Sequence, residues 1–307
     1  MKQKFKVDTE KCVKCGLCVN DCITKAIATN ENGIPEMYNS LRCIECQHCF
    51  AICPQGAISI LEKNPDESNE IHEINSEDIL NLIKSRRSIR KYRQENVSKE
   101  IITKLKSMLN YSPTGCNSHK LHFSFIEDMD VMDDFRTKVN EKIVSILTKK
   151  PFEILAEKVS KFTKYKKAFL EGKDVIFRGA PHLIVACAPI DSPCPTQDGI
   201  IALSYFELYA KSLGLGTLWC GYAQTVLKLF PEFCEYSQIP KGYQPIYVML
   251  FGYSDVKYQR TIQPLEYSFK TIEKQDIETG IITKLKRFFW NFIRWNWYYF
   301  NYQIVKK

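Results

Sequence analysis

The sequence lacks any uninterrupted apolar run of the roughly 20 residues that a transmembrane helix needs, and no secretory apolar segment precedes its first cysteine. A soluble, cytoplasmic chain with reduced thiols is therefore expected. It also lacks a complete dinucleotide fingerprint: Gly214-Leu215-Gly216 has neither the third glycine nor an acidic partner about twenty residues on. Acid is missing altogether from residues 281–307, which carry Lys284, Lys286, Arg287, Arg294, Lys306 and Lys307, whereas residues 1–62 balance seven basic against seven acidic side chains. The net charge of +8 thus belongs mostly to the tail. No basic face spread over a folded domain is indicated, so nucleic acid is not an expected partner.

What the chain has in excess is cysteine. Of thirteen, eight fall in two copies of one spacing, Cys12-x2-Cys15-x2-Cys18-x3-Cys22 and Cys43-x2-Cys46-x2-Cys49-x3-Cys53-Pro54. Soft thiolates suit iron and sulfide, and each C-x2-C-x2-C triplet fits three corners of a cube, with the fourth cysteine of each run reaching the other cube. Two [4Fe–4S] clusters follow, one held by Cys12, Cys15, Cys18 and Cys53, the other by Cys43, Cys46, Cys49 and Cys22. Pairs of C-x2-C also build zinc sites, but two complete four-cysteine runs are too regular for that. An offset of 31 residues also maps Ala26-Ile27 onto Ala57-Ile58, the mark of an internal duplication. Residues 1–62 resemble the bacterial two-cluster ferredoxins, with Ile23 standing where that family commonly has proline. Cys116, Cys187, Cys194, Cys220 and Cys234 are scattered without metal spacing and read mainly as packing residues.

A chain of 307 residues exceeds a ferredoxin and suits a second, larger domain. The polar stretch Lys63–Glu70 opens a linker, placed at 63–77. Ser76 with Glu77 and Asp78 predicts a helix start, with Ile79, Leu82 and Ile83 on one face. A second helical pattern covers 99–110. Strand-like runs at Leu121–Glu127, His182–Ala188 and Pro245–Phe251 alternate with helical stretches at about 130–170 and 198–213, which indicates an α+β domain over 78–275. Residues 149–178 read either as a lid over a site or as plain scaffold.

Three elements carry the chemistry of this domain. Arg86-Arg87-Ser88-Ile89-Arg90 puts three guanidiniums and a hydroxyl within five residues, enough to grip a phosphate, although a solvated helix face has the same look. Pro113-Thr114-Gly115-Cys116-Asn117-Ser118-His119 is a turn leading into a strand, able to line a planar ligand with polar groups. Leu213 to Gly221 brings glycines that let backbone approach closely.

In this order the three elements resemble the nitroreductase family of FMN flavoproteins over about residues 78–270. The resemblance implies a mostly antiparallel central sheet flanked by helices, and FMN at the interface of a homodimer. It implies that Arg86, Arg87, Ser88 and Arg90 contact the phosphate and ribityl chain. Pro113, Thr114, Gly115 and Asn117 would cover the flavin from the neighbouring subunit, with His119 where many members have glutamine. Leu218, Trp219, Cys220 and Gly221 would lie beside the ring and its N5, and Arg260 would be a late phosphate ligand. His119, Cys220 and Tyr222 are the candidate proton donors, beside solvent.

Together these imply an FMN-dependent oxidoreductase that reduces a small electron-poor molecule, such as a nitro compound, quinone or activated alkene. The clusters would relay electrons from a reduced ferredoxin- or flavodoxin-type donor, and an NAD(P)H-linked donor stays open. An electron-transfer module serving a protein partner is the alternative.

The tail, 276–307, has ten aromatics within residues 288–302, including three of the four tryptophans. Read as a helix, Lys284, Arg287, Asn291, Arg294 and Asn301 form a polar stripe opposite an aromatic face. Peripheral contact of residues 284–305 with an anionic membrane, packing on the partner subunit, and docking on another protein all remain open.

Overall fold

A computed structural model describes residues 5–148, 162–274 and 285–294. The chain divides into one unit over Met1–Thr261 and a second over Ile262–Lys307.

The cysteine-rich segment folds as two small antiparallel pairs. Strand β1 (Lys6–Val7) pairs with β4 (Ile58–Ser59), and β2 (Ile27–Thr29) pairs with β3 (Pro35–Met37). Short helices α1 (Leu17–Asp21) and α2 (His48–Ala51) occupy corresponding places in the two halves. The 31-residue repeat is conformational as well as sequential. Left-handed Lys14 (φ 57°), Gly16 (73°) and Lys25 (53°) are matched by Glu45 (59°), Gln47 (58°) and Gly56 (57°). Ala26, Ile27, Ala57 and Ile58 are all buried, and Cys18 and Cys49 join the small core. Exposed Ile23 takes part in none of this.

Helix α3 (Ser76–Ser85) begins one residue earlier than the Ser76 cap expected from sequence: Asn75 is the cap, its side-chain oxygen accepting from Glu77 N at 2.9 Å. Ile79, Leu80 and Ile83 remain exposed along it. Helix α4 (Lys99–Leu109) is capped by Ser98 and turns Ile102, Leu105 and Leu109 inward.

The larger sheet is antiparallel throughout, in the order β5 (His122–Ile126), β6 (His182–Pro189), β8 (Tyr243–Tyr253), β7 (Leu215–Trp219). Successive side chains point to opposite faces, and both faces are covered. Leu183, Val185, Val248 and Leu250 pack with helix α5 (Met129–Thr148), α8 (Gly221–Leu229) and α9 (Pro231–Tyr236). Ile184, Ala186, Met249 and Phe251 pack with α4 and α7 (Pro195–Ser212). Near-continuous apolar runs in β6 and β8 are the sequence trace of that double burial.

The helical stretch expected over 130–170 comprises α5 and the short α6 (Lys166–Leu170), with 149–161 outside the described residues. Where residues 162–178 are described, Phe162, Phe169, Ile176 and Phe177 are buried, so this part is scaffold. In the second unit residues 285–294 are helical and exposed, including Phe288, Phe289, Trp290 and Phe292, while Lys284 and residues 295–305 lie outside the described residues. Among the described residues no helix is long and apolar enough to cross a membrane.

Candidate functional site

The cysteine loops owe their shape to their left-handed residues, which turn the backbone so that thiols converge. Cys12, Cys15, Cys18 and Cys53 line one small cavity, so the fourth cysteine of the second run lies beside the first triplet. The thiols act on one another across both runs. Cys18 lies above the usual thiol range, chiefly through burial, with Cys53 and Cys15 contributing. Cys43 is raised chiefly by burial, with Cys46 and Cys22 contributing. Burial pushes Cys49 up to about 12. Backbone amides aim at the fourth sulfur of each run: Ala26 N donates to Cys22 Sγ at 3.3 Å and Ala57 N to Cys53 Sγ at 3.2 Å. Such N–H···S contacts favour thiolate and tune the potential of a bound cluster. Among the described residues no three His, Cys, Asp or Glu side chains converge on a single metal ion. The four thiols lining that cavity are the set that the sequence assigns to one cluster.

The second site lies along β7. Residues 86–90 run beside this strand: Ser88 bridges Thr217 in parallel, and Ile89 N donates to Thr217 O at 2.8 Å. Gly216 is required there because a Cβ would stand 2.4 Å from Ile89 Cγ1. The bare Cα that the sequence suggested for a ligand is therefore taken up by Ile89. Around this junction opens a cavity of about 570 Å³ whose lining includes Arg86, Arg87, Arg93, Lys211, Lys257 and Arg260, with Asp255 its one acidic residue. Arg86 is held from behind, its Nη1 donating to Glu207 Oε1 at 3.2 Å, and the Thr217 hydroxyl donates to the same buried carboxylate at 3.2 Å. Arg87 Nη2 is buried without a hydrogen-bond partner. An orphaned guanidinium nitrogen among five other cations is what a phosphate satisfies. Arg90 is exposed and turns back to Ser88 O at 3.3 Å.

Sequence reasoning missed Arg93, Lys211 and Lys257. Lys211 is the last-turn cation of α7, and Lys257 precedes Arg260 in the same loop, so only the fold brings them to Arg86.

From Gly216 the strand advances about 10 Å to Trp219, whose ring meets Tyr247 edge-on at 5.3 Å. Cys220 then caps α8. Its thiol accepts from Ala223 N at 3.4 Å, donates to Ile176 O at 3.3 Å, and is pushed up to about 11 by burial. Its N–H is committed to Val248 O at 2.9 Å. Gly221 follows with Tyr247 Oη beside its open Cα face, and Tyr222 packs against Phe162 and Tyr165. Lys164 is raised and Tyr165 lowered, each chiefly by hydrogen bonding to the Tyr222 side chain.

The turn at 113–119 belongs to the opposite end of α7 from the cation cavity. Gly115 N donates to buried Asp198 Oδ1 at 2.9 Å, and Asp198 stands about 14 Å along the helix from Glu207. Cys116, Asn117 and His119 are all left-handed, a local strain that collects at binding turns. His119 N donates to Thr114 Oγ1 at 3.0 Å, His119 Nε2 meets Asn117 Oδ1 at 2.9 Å, and Asn117 Nδ2 donates to Ile44 O at 2.9 Å in the second cysteine loop. Pro113 is exposed. Within one chain, then, Arg86, Arg87 and Arg260 are brought together, while Pro113–Asn117 are held apart from them.

An antiparallel sheet clad by helices, with a cation-lined cavity along its edge strand and a thiol-rich module ahead of it, defines a redox protein. Residues 83–253 match the nitroreductase family profile and residues 4–54 a 4Fe–4S dicluster domain. The chain belongs to the nitroreductase family, with a ferredoxin domain at its N-terminus, and is an oxidoreductase. It is 27% identical over 181 residues to a protein of Methanothermobacter thermautotrophicus described as an NADH dehydrogenase/NAD(P)H nitroreductase, covering 54% of this chain and 77% of that one. It is 35% identical over 66 residues to a ferredoxin of Methanocaldococcus jannaschii, covering 21% of this chain and 86% of that protein. The fold is also that of a nitroreductase with bound FMN from Bacteroides fragilis, at 18% identity and TM-score 0.51, covering 66% of this chain and all of the other.

Proposed function

We propose that this protein is an FMN-dependent reductase of small electron-poor molecules, such as nitro compounds, quinones or activated alkenes, supplied with electrons through two fused [4Fe–4S] clusters. The observation that carries it is the cavity of Arg86, Arg87 and Arg260 on the same chain as a converged cysteine quartet. Domain limits of 1–62 for the ferredoxin part, 63–77 for a linker, 78–275 for the flavin part and 276–307 for the tail belong to this reading.

Bound FMN supplies acceptance of two electrons and their release singly or as hydride. The protein supplies the rest. Arg86, Arg87 and Arg260 hold the phosphate, with Ser88 and Arg90 toward the ribityl chain. Leu218, Trp219, Cys220 and Gly221 flank the ring, and their wall with Tyr247 excludes water. Cys220 N–H is committed to Val248 O and Ala223 N to the Cys220 thiol, so neither of these amides is free to donate to the ring. Cations along the cavity stabilise added negative charge. Pro113, Thr114, Gly115 and Asn117 complete the site from the neighbouring subunit of a homodimer, which their distance from Arg86 within one chain supports.

Among the proton donors, Cys220 stays neutral at physiological pH but faces Ile176 O, and His119 is engaged with Asn117. Tyr222, whose side chain hydrogen-bonds Lys164 and Tyr165, is the third candidate, and solvent is the other source. The four quartet members Cys12, Cys15, Cys18 and Cys53 hold one cluster, and Cys43, Cys46, Cys49 and Cys22 the second. A reduced ferredoxin- or flavodoxin-type protein, or an NAD(P)H-linked donor, feeds them.

Anaerobic analysis should return about eight irons and one FMN per chain. After reduction, nitroaromatic, quinone and alkene acceptors should reoxidise the flavin faster than buffer does. If none does, the flavin is a relay to a protein partner. The exposed aromatic helix at 285–294 favours that second reading, with the partner or donor at a membrane surface.

A further inference from the structure

We infer that the two clusters have fixed and different duties: the one held by Cys43, Cys46, Cys49 and Cys22 delivers electrons to the flavin of the neighbouring subunit, whose site the turn at 113–119 completes, and the Asn117–His119 pair clasps it there. This rests on the flavin and cluster sites proposed above, and it assigns an order and two positioning residues that those sites leave open.

The repeat allows the two halves to be compared position by position. Val13 in the first loop corresponds to Ile44 in the second; Val13 is 61% exposed and Ile44 36%. Cys15 is exposed, whereas its counterpart Cys46 is partly covered. Ile44 meets the turn at 113–119. Its carbonyl can only accept, which places the amide nitrogen of Asn117 toward it, at 2.9 Å. The Asn117 oxygen then faces His119 Nε2 at 2.9 Å and also only accepts, so that ring nitrogen carries the hydrogen. The result is a directed chain, His119 Nε2–H to Asn117 Oδ1 and Asn117 Nδ2–H to Ile44 O, ending one residue from Cys43. Both residues sit at positive φ, as expected of side chains held for a purpose other than local turn stability. The turn itself is pinned to the flavin domain by Gly115 N on Asp198. Among the described residues the first loop meets no such clasp: its neighbouring tie, Lys11 to Asp66 at 3.0 Å, leads to the linker. Open to solvent at Val13 and Cys15, it is the face that a soluble donor can reach.

Electrons balance as two single transfers. The Cys43 cluster passes on its own electron and then the one it receives from the Cys12 cluster, the flavin takes both with one proton from solvent, and a low-potential one-electron donor of the iron–sulfur or flavodoxin class, itself oxidised, restores the clusters.

The test uses the full-length protein carrying iron and FMN. Hydrogen–deuterium exchange is followed at 43–47 and 12–16, and cluster-to-flavin equilibration is timed after a light pulse with deazaflavin as the one-electron source. Asn117→Ala should speed exchange at 43–47 only and slow equilibration about fivefold, the population shift that one net hydrogen bond sustains. His119→Ala should do the same to a lesser degree, the double variant should match Asn117→Ala because His119 acts through Asn117, and His119→Gln, which keeps an N–H donor, should restore the parent exchange at 43–47. Unchanged exchange at 43–47, or a change confined to 12–16, overturns the assignment. Where Asn117→Ala releases FMN, the exchange pattern alone decides. Parent protein lacking FMN or iron would instead refute the sites on which the inference rests.

Discussion

Replacing Gly216 with alanine should damage the flavin site without touching any group that binds. The alanine Cβ would stand 2.4 Å from Ile89 Cγ1, 2.9 Å from Ile89 Cβ and 3.1 Å from Ile89 Cγ2. Ile89 is only 6% exposed and its amide is fixed to Thr217 O at 2.8 Å, so it has no free direction in which to withdraw. Relief must come from parting residues 86–90 from β7, which costs about 1–3 kcal/mol as overpacking. For a domain of this size that lowers the melting temperature by about 2–4 °C per kcal/mol. The Ser88–Thr217 bridge and the Arg86–Glu207 pair span the same junction, and about 1.4 kcal/mol transferred to binding weakens FMN tenfold. Titration of FMN into the flavin-depleted protein, read by fluorescence quenching, measures this. Ile89→Ala alone costs about 2–5 kcal/mol as a cavity, but it removes the Cγ atoms that clash. The double variant should therefore be at least about 1 kcal/mol better than the sum of its parts. Strict additivity, or Gly216→Ala with unaltered FMN affinity, would falsify the packing argument.

Further expectations follow the same geometry. Cys53→Ser should resemble Cys15→Ser, and Cys22→Ser should resemble Cys46→Ser, in iron content and in the spectrum of the cluster that remains; pairing within each run instead of across would show uncrossed ligation. His182, fully buried with Nε2 accepting from Val97 N at 2.9 Å, is depressed to about 4 by desolvation. Its folded value lies below the unfolded 6.5, so the stability it contributes is present above pH 6.5 and is lost as the pH falls toward about 4. Urea unfolding across that range should show a slope that His182→Gln removes. Ending the chain near residue 280 should abolish flotation with anionic vesicles if the tail binds lipid; unchanged partition would point to the partner subunit or another protein.

The cysteine runs were legible because ligand chemistry sets their spacing, and the duplicated Ala-Ile pairs because both copies build the same small core. Strands β6 and β8 were legible because burial on two faces leaves a continuous apolar run. Strand β7 was not: Gly214 and Gly216 look like loop residues, and only the partner β8 and the intrusion of Ile89 make Gly216 a strand position. The cap at Asn75 was obscured by Ser76, since either side chain can cap and the choice lies in backbone geometry. Arg86 stood out by the charge of its cluster, and Arg260 through the resemblance. Glu207, Lys211 and Lys257 escaped because a charged residue on a long helix or loop has no sequence mark that separates a buried anchor from a solvated side chain.

Lys14, Lys25, Glu45 and Gln47 hold left-handed turns that cost non-glycine residues about 1–2 kcal/mol each. A loop wound at that expense depends on its inorganic core to stay wound, so loss of iron to oxygen should let it relax. Through Ile44 and Asn117 the relaxation passes to the turn beside the flavin. Oxidative damage at the clusters should then appear as release of the flavin, and the protein would shut down as a whole where a detached flavoprotein would go on leaking electrons to oxygen.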